Sequence, residues 1–188
     1  MKKTKYTIWG QMLGVVGTHA VTAFVFMFLW LITAGMWEGI AGKIFSTLGL
    51  ACYCAVLYNS GVGCAQADKR TVSPLKAYPA KGVTLPIILL GVNIAIILAY
   101  KYAWGLGSDG EYLREGWAVL INVLSVFWTA PYSDIIGMEK GVLEIQGYFV
   151  LCVLPFIATS AGYFAGYKGF DILDKIVRIA YEKKKDEK

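Results

Sequence analysis

The sequence predicts an all-α integral membrane protein: a compact bundle of four transmembrane helices, one short re-entrant or interfacial helical segment and a C-terminal amphipathic helix. Three observations carry that prediction. Of the 188 residues, 57% are apolar or aromatic and 16% charged, a balance well outside that of soluble globular domains. The apolar residues gather into four runs, each close to the ~20 residues that a hydrocarbon core requires. The formal charge of +5 is concentrated in blocks beside those runs, where it orients the chain rather than forming a nucleic-acid face.

The first run, 10–35, follows the cationic opening MKKTKYTIWG. It is about twice as long as the apolar core of a signal peptide and has no A-x-A site behind it, so it reads as an uncleaved first span. The other runs are 40–58, 84–104 and 147–167. In lipid each must be helical, because an unpaired backbone amide costs several kcal/mol there. Tyr6, Trp9, Trp37, Tyr102, Trp104, Tyr163 and Tyr167 stand near the run ends, at headgroup level.

Between the second and third runs, residues 59–82 read as a cytosolic loop, with Gly, Ser and Pro at turn positions and the cations Lys69, Arg70, Lys76 and Lys81. Residues 105–116 carry Asp109, Glu111 and Glu115 against Arg114 alone, and read as an external loop.

The segment 117–137 contains LINVLSVFWTAPYSDIIG and is the ambiguous one. Its uninterrupted apolar part, 117–130, is 14 residues long, which makes roughly 21 Å of helix against a ~30 Å core. Pro131 and Asp134 follow and interrupt it. With four spans the cytosolic side holds Lys2, Lys3 and Lys5, the four loop cations and the seven of 168–188, fourteen of the eighteen Lys and Arg. A fifth crossing breaks that bias. The segment is therefore expected to re-enter or lie flat at the external face, leaving both termini cytosolic at the cell membrane.

Residues 1–169 then form the transmembrane domain and 170–188 a basic tail. In the tail Phe170, Leu173, Ile176, Val177 and Ala180 recur at helical spacing. Such a helix lies on the membrane surface, with Lys175, Arg178, Lys183, Lys184 and Lys185 reaching anionic lipid headgroups.

Small residues recur in steps of three and four. Gly35, Gly39, Gly42, Ser46 and Gly49 mark a face of the second helix, Gly10, Gly14 and Gly17 one of the first, and Ala158, Gly162, Ala165 and Gly169 one of the last. Lipid supplies no hydrophobic drive for helix association, so such faces act by close backbone approach, within the chain or between copies.

Four polar groups at membrane depth are candidate site residues: His19, Asn93, Asn122 and Asp134. For His19, the only histidine, the simpler expectation is a neutral ring bonded to a neighbouring helix backbone, since no carboxylate lies near mid-span to relay a proton. For Asn93 and Asn122 it is helix-to-helix bonding. Cys52 and Cys54 are two apart, so on a helix they point in different directions and cannot share a tetrahedral metal. With Cys64 and Cys152 they read as small apolar residues. No catalytic motif, metal or cofactor is expected. The reading that fits best is a non-catalytic accessory or regulatory subunit that meets a protein partner, or itself, in the membrane. The alternatives are a small oligomeric channel or transporter, and a membrane-embedded thiol or lipid enzyme.

Overall fold

The computed structural model describes residues 7–33, 40–70, 73–105, 116–132, 147 and 149–170, and no strand occurs among them. Its helices are α1 (Ile8–Thr33), α2 (Ile40–Lys69), α3 (Lys81–Thr84), α4 (Ile87–Gly105), α5 (Gly116–Thr129) and α6 (Leu154–Lys168). A 3-10 turn, Ala130–Tyr132, closes α5, and a π-helical turn, Phe149–Val153, leads into α6. Gly35, Gly39, Asp134 and the tail cations Lys175, Arg178, Lys183, Lys184 and Lys185 lie outside the described residues.

Four helical stretches are long and apolar enough to cross a membrane: Ile8–Leu29, Ser46–Lys69, Lys81–Tyr102 and Val150–Lys168. The apolar part of α5, Val119–Thr129, is shorter than these.

The expected loop at 59–82 is corrected. Helix α2 continues through Asn59, Ser60, Gly61 and Gly63 to Lys69, and only the stretch from Arg70 to Ala80 connects it to α3. In water that Gly/Ser cluster would end a helix, but membrane helices admit these residues where a neighbour comes close. Gly61 is such a place: a β-carbon there would collide with the Thr159 carbonyl and come within 2.8 Å of the Tyr163 amide nitrogen.

The same contacts fix helix directions. Along α2, Tyr58 meets Gly162, Val62 and Ala65 meet Gly166, and Lys69 reaches Gly169, so α2 and α6 run parallel. Helix α1 runs antiparallel to α2, with Gln11 at Asp68, Thr18 at Ser60 and Phe26 at Gly49. Helices α3 and α4 together run antiparallel to α6 and the π-helical turn before it, with Gly82 of α3 against Tyr163 and Phe164, and Asn93 of α4 against Leu151.

Two apolar clusters fill the bundle. One gathers Val15, Tyr53, Leu57, Leu89, Ile97, Tyr100 and Leu151, with Ala158 beside it. The other gathers Met12, Ala65, Leu85 and Tyr163 towards the end where α1 begins.

Within the chain, the small-residue faces differ in what stands against them. On α1, Gly14 and Gly17 are exposed and a β-carbon at either would meet nothing within 4 Å, while Gly10 faces only Thr7 of its own first turn. Periodicity marks a face but does not say what stands opposite. On α2, Gly49 packs on the Phe26 ring and Ser46 is buried, whereas Gly42 lies on the helix beyond the described side chains. On α6 the close approach is made by Gly162 and Gly166, while Ala165 is half-buried. Gly169 has a different task. At φ +76° it ends α6 in the left-handed region, where its N–H and that of Phe170 cap the Gly166 and Ala165 carbonyls.

Candidate functional site

Two polar centres lie inside the bundle. The first sits where α1 and α3 begin and α2 and α6 end. The last turn of α2 turns Asp68 inward, and the connection after it returns Lys81 to the same spot at the start of α3. Lys81 Nζ is 2.5 Å from Asp68 Oδ2, with the two side chains 1% and 0% exposed. The Tyr163 hydroxyl donates to the same oxygen at 3.0 Å, and Gln11 Nε2 donates to Oδ1 at 2.8 Å. The carboxylate therefore accepts from three helices, and its charge is neutralised by an ammonium as deeply buried as itself. This geometry is required if an ion pair is to survive burial, because desolvation is offset only when the remaining polar atoms are also bonded.

The second centre lies near the middle of the spans. His19 is fully buried, and its Nδ1 is 2.7 Å from the Tyr53 hydroxyl, the tautomer deciding which group donates. The Trp128 ring of α5 stacks obliquely on the imidazole at a centroid distance of 4.1 Å. Trp128 Nε1 donates to Asn93 Oδ1 at 2.8 Å, and Asn93 Nδ2 donates to the Leu151 carbonyl at 2.5 Å. Leu151 lies inside the π-helical turn, where the regular carbonyl ladder is interrupted and a side-chain donor can be accommodated. His19 Nε2 is buried without a hydrogen bond of ordinary geometry, the Trp128 backbone being the polar group beside it.

The structure thus brings His19 and Asn93 into one cluster, joined through Trp128. The imidazole meets the Tyr53 hydroxyl at Nδ1, a partner the sequence did not suggest, while the backbone beside it is that of Trp128 on the neighbouring helix α5. Asn122 is half-buried on α5 and bonds no described residue, so it stands apart from both centres. Cys52 is exposed, Cys54, Cys64 and Cys152 are half-buried, and all four are free. Among the described residues no three His, Cys, Asp or Glu gather as metal ligands.

Sequence reasoning missed Asp68, Lys81, Gln11, Tyr53, Trp128 and Tyr163. Asp68 and Lys81 were hidden by the loop assignment around them. Trp128 carried a usable signal, because a buried indole N–H needs an acceptor, and Asn93 is the amide midway along another apolar run.

Chemically, the first centre can hold helices together without net charge. The second can orient α5 and keep a histidine available at mid-depth. No protein-family model matches the chain, and neither does any curated protein or solved structure.

Proposed function

We propose that the chain is a non-catalytic multi-pass membrane protein that serves as an accessory or regulatory subunit of a membrane complex. One observation carries this reading: Asp68, the described carboxylate buried inside the bundle, is saturated by Lys81, Tyr163 and Gln11 and so clamps one end of α1, α2, α3 and α6 together. A carboxylate committed in this way favours a fixed scaffold over a path through which an ion passes. In this reading the bundle sits in the cell membrane with both termini cytosolic, which the positive-inside bias supports, and the exposed Lys69, Arg70, Lys76 and Lys168 at the clamp end would meet anionic headgroups.

The parallel run of α2 and α6 supports a re-entrant α5. Two parallel spans need an odd number of crossings between them. Helix α4 provides one, and a crossing by α5 would make two. In this arrangement α5 and α6 both begin at the external face.

The test is purification of the tagged full chain in mild detergent, with identification of co-purifying proteins and a flux assay in liposomes. A membrane partner at fixed stoichiometry and no flux are expected. Ion or solute flux by the purified chain alone would overturn the accessory role.

That outcome would favour a second reading, a small oligomeric channel or transporter. It has an observation of its own: His19, Asn93 and Trp128 meet at mid-depth between two irregular helical turns, the kind of place where broken helices form transport sites.

A further inference from the structure

Cys52, Val56, Asn59 and Gly63 succeed one another on α2 in steps of four, three and four, which puts them on one helical face, and all four are exposed. Asn59 lies at the middle of the apolar stretch Ser46–Lys69. Its carboxamide makes no hydrogen bond to any described residue. By contrast, Asn93 at mid-length of α4 is fully buried and bonded at both ends. In hydrocarbon an unpaired carboxamide is costly, and membrane helices resolve this by bonding across a helix–helix contact.

The surroundings of Asn59 suit such a contact. Gly63, one turn along, has nothing within 4 Å of where a β-carbon would stand. On the adjoining α1, Gly14 and Gly17 are equally bare, and they lie between the levels of the Gln11–Asp68 and Thr18–Ser60 contacts that join α1 to α2. A backbone can therefore approach both helices beside the amide.

A carboxamide is self-complementary, with one carbonyl acceptor and one NH2 donor. A two-fold axis along the membrane normal, passing beside Asn59, pairs each amide with its copy and leaves neither group unbonded. We infer that the α1–α2 face centred on Asn59 is an isologous interface between two copies of this chain, closed by Asn59 pairing with Asn59. The inference rests on α1 and α2 crossing the membrane and is independent of which complex the dimer joins.

The test uses the full chain in native membranes with Cys54, Cys64 and Cys152 replaced by Ala and Cys52 retained. Cys52 lies two turns from Asn59 on the same face, so oxidation by copper phenanthroline should give a disulfide-linked dimer on a non-reducing gel. Asn59→Leu should weaken dimerisation about tenfold, the scale of one interhelical polar bond in model membrane peptides. Gly63→Leu should also weaken it, and Gly91→Leu, at an exposed glycine of α4, should leave it unchanged. Unchanged thermal midpoints in detergent exclude misfolding, since positions 59 and 63 face away from the bundle. Absence of the crosslinked dimer, its indifference to Asn59→Leu, or a Cys52 crosslink to a different protein overturns the inference. Extraction of the chain by alkaline carbonate would instead overturn the membrane placement beneath it.

Discussion

Trp128 donates its indole N–H to the carboxamide oxygen of Asn93, 2.8 Å away, and thereby ties the short helix α5 to the long apolar helix α4. The same amide donates to Leu151 in the π-helical turn. One side chain thus couples three elements that are distant in sequence. Asn93→Ala removes both bonds and leaves the part-buried indole N–H without that acceptor, whereas Trp128→Phe removes one bond and keeps an aromatic ring over His19. Interhelical bonds in membranes are worth about 0.6 to 2 kcal/mol each. Asn93→Ala should lower the thermal midpoint in detergent more than Trp128→Phe does. The reverse order would mean that the ring contact with His19, and not the amide, seats α5.

The glycines divide into two classes that substitution should separate. A β-carbon at Gly162 would overlap the Tyr58 carbonyl, and one at Gly166 would stand 2.9 Å from both the Ala65 β-carbon and the Val62 carbonyl. Backbone does not yield to such an intrusion, so α2 and α6 must separate. Gly162→Val and Gly166→Val should each reduce folded yield severely and cost more stability than typical surface substitutions, which lie within about 0.5 kcal/mol. Gly91→Val on α4, where nothing stands within 4 Å, should change the monomer's thermal midpoint little. Comparable losses at Gly91 and Gly162 would refute the assigned α2–α6 contact.

Much of the fold was legible because apolar runs of spanning length leave few choices besides helix. Four apolar runs correspond to the four helices long enough to span, and the 14 apolar residues before Pro131 correspond to α5 and its 3-10 end. What the runs could not supply was which face meets which. Gly14, Gly17 and Gly162 carry the same periodic signal, yet only Gly162 has a helix against it. Asp68 and Lys81 were illegible for another reason. They are thirteen positions apart across a turn, and no periodicity links residues that a connection brings together. His19 and Asn93 were found because an ionisable or amide group in an apolar run is visible by itself. Their link, Trp128, is an aromatic among aromatics and was not.

The Asp68–Lys81 pair gives a prediction in the form of a cycle. Removing one partner of a buried pair typically costs about 3 to 5 kcal/mol, because the other charge is left uncompensated, whereas removing both is far milder. Asp68→Asn and Lys81→Met should each lower the thermal midpoint strongly. The double variant should be more stable than the sum of the two losses implies, with a coupling of at least about 1 kcal/mol. Additive losses would show that the two charges do not depend on one another, and the clamp would lose its basis.

The direction of α6 gives the last prediction. Helices α2 and α6 are in register along Tyr58–Gly162 and Val62–Gly166, so they share a direction and their C-terminal ends share a side with Lys69 and Lys168. If α5 does not cross, position 133 is expected to be accessible from outside, because it follows by two residues Pro131, whose carbonyl stands beside Gly49 in the half of α2 away from Lys69. If α5 crossed, position 133 would instead share a side with position 73 in the connection between α2 and α3. A lone cysteine at Ser133 or at Ser73 in an otherwise cysteine-free chain distinguishes these arrangements when intact cells are treated with an impermeant maleimide. Labelling is expected at 133 and not at 73, with labelling at 73 appearing after permeabilisation. Protection of both sites in intact cells, with both labelled only after permeabilisation, would mean that α5 crosses. The parallel packing of α2 against α6 would then have to be abandoned together with the four-span topology.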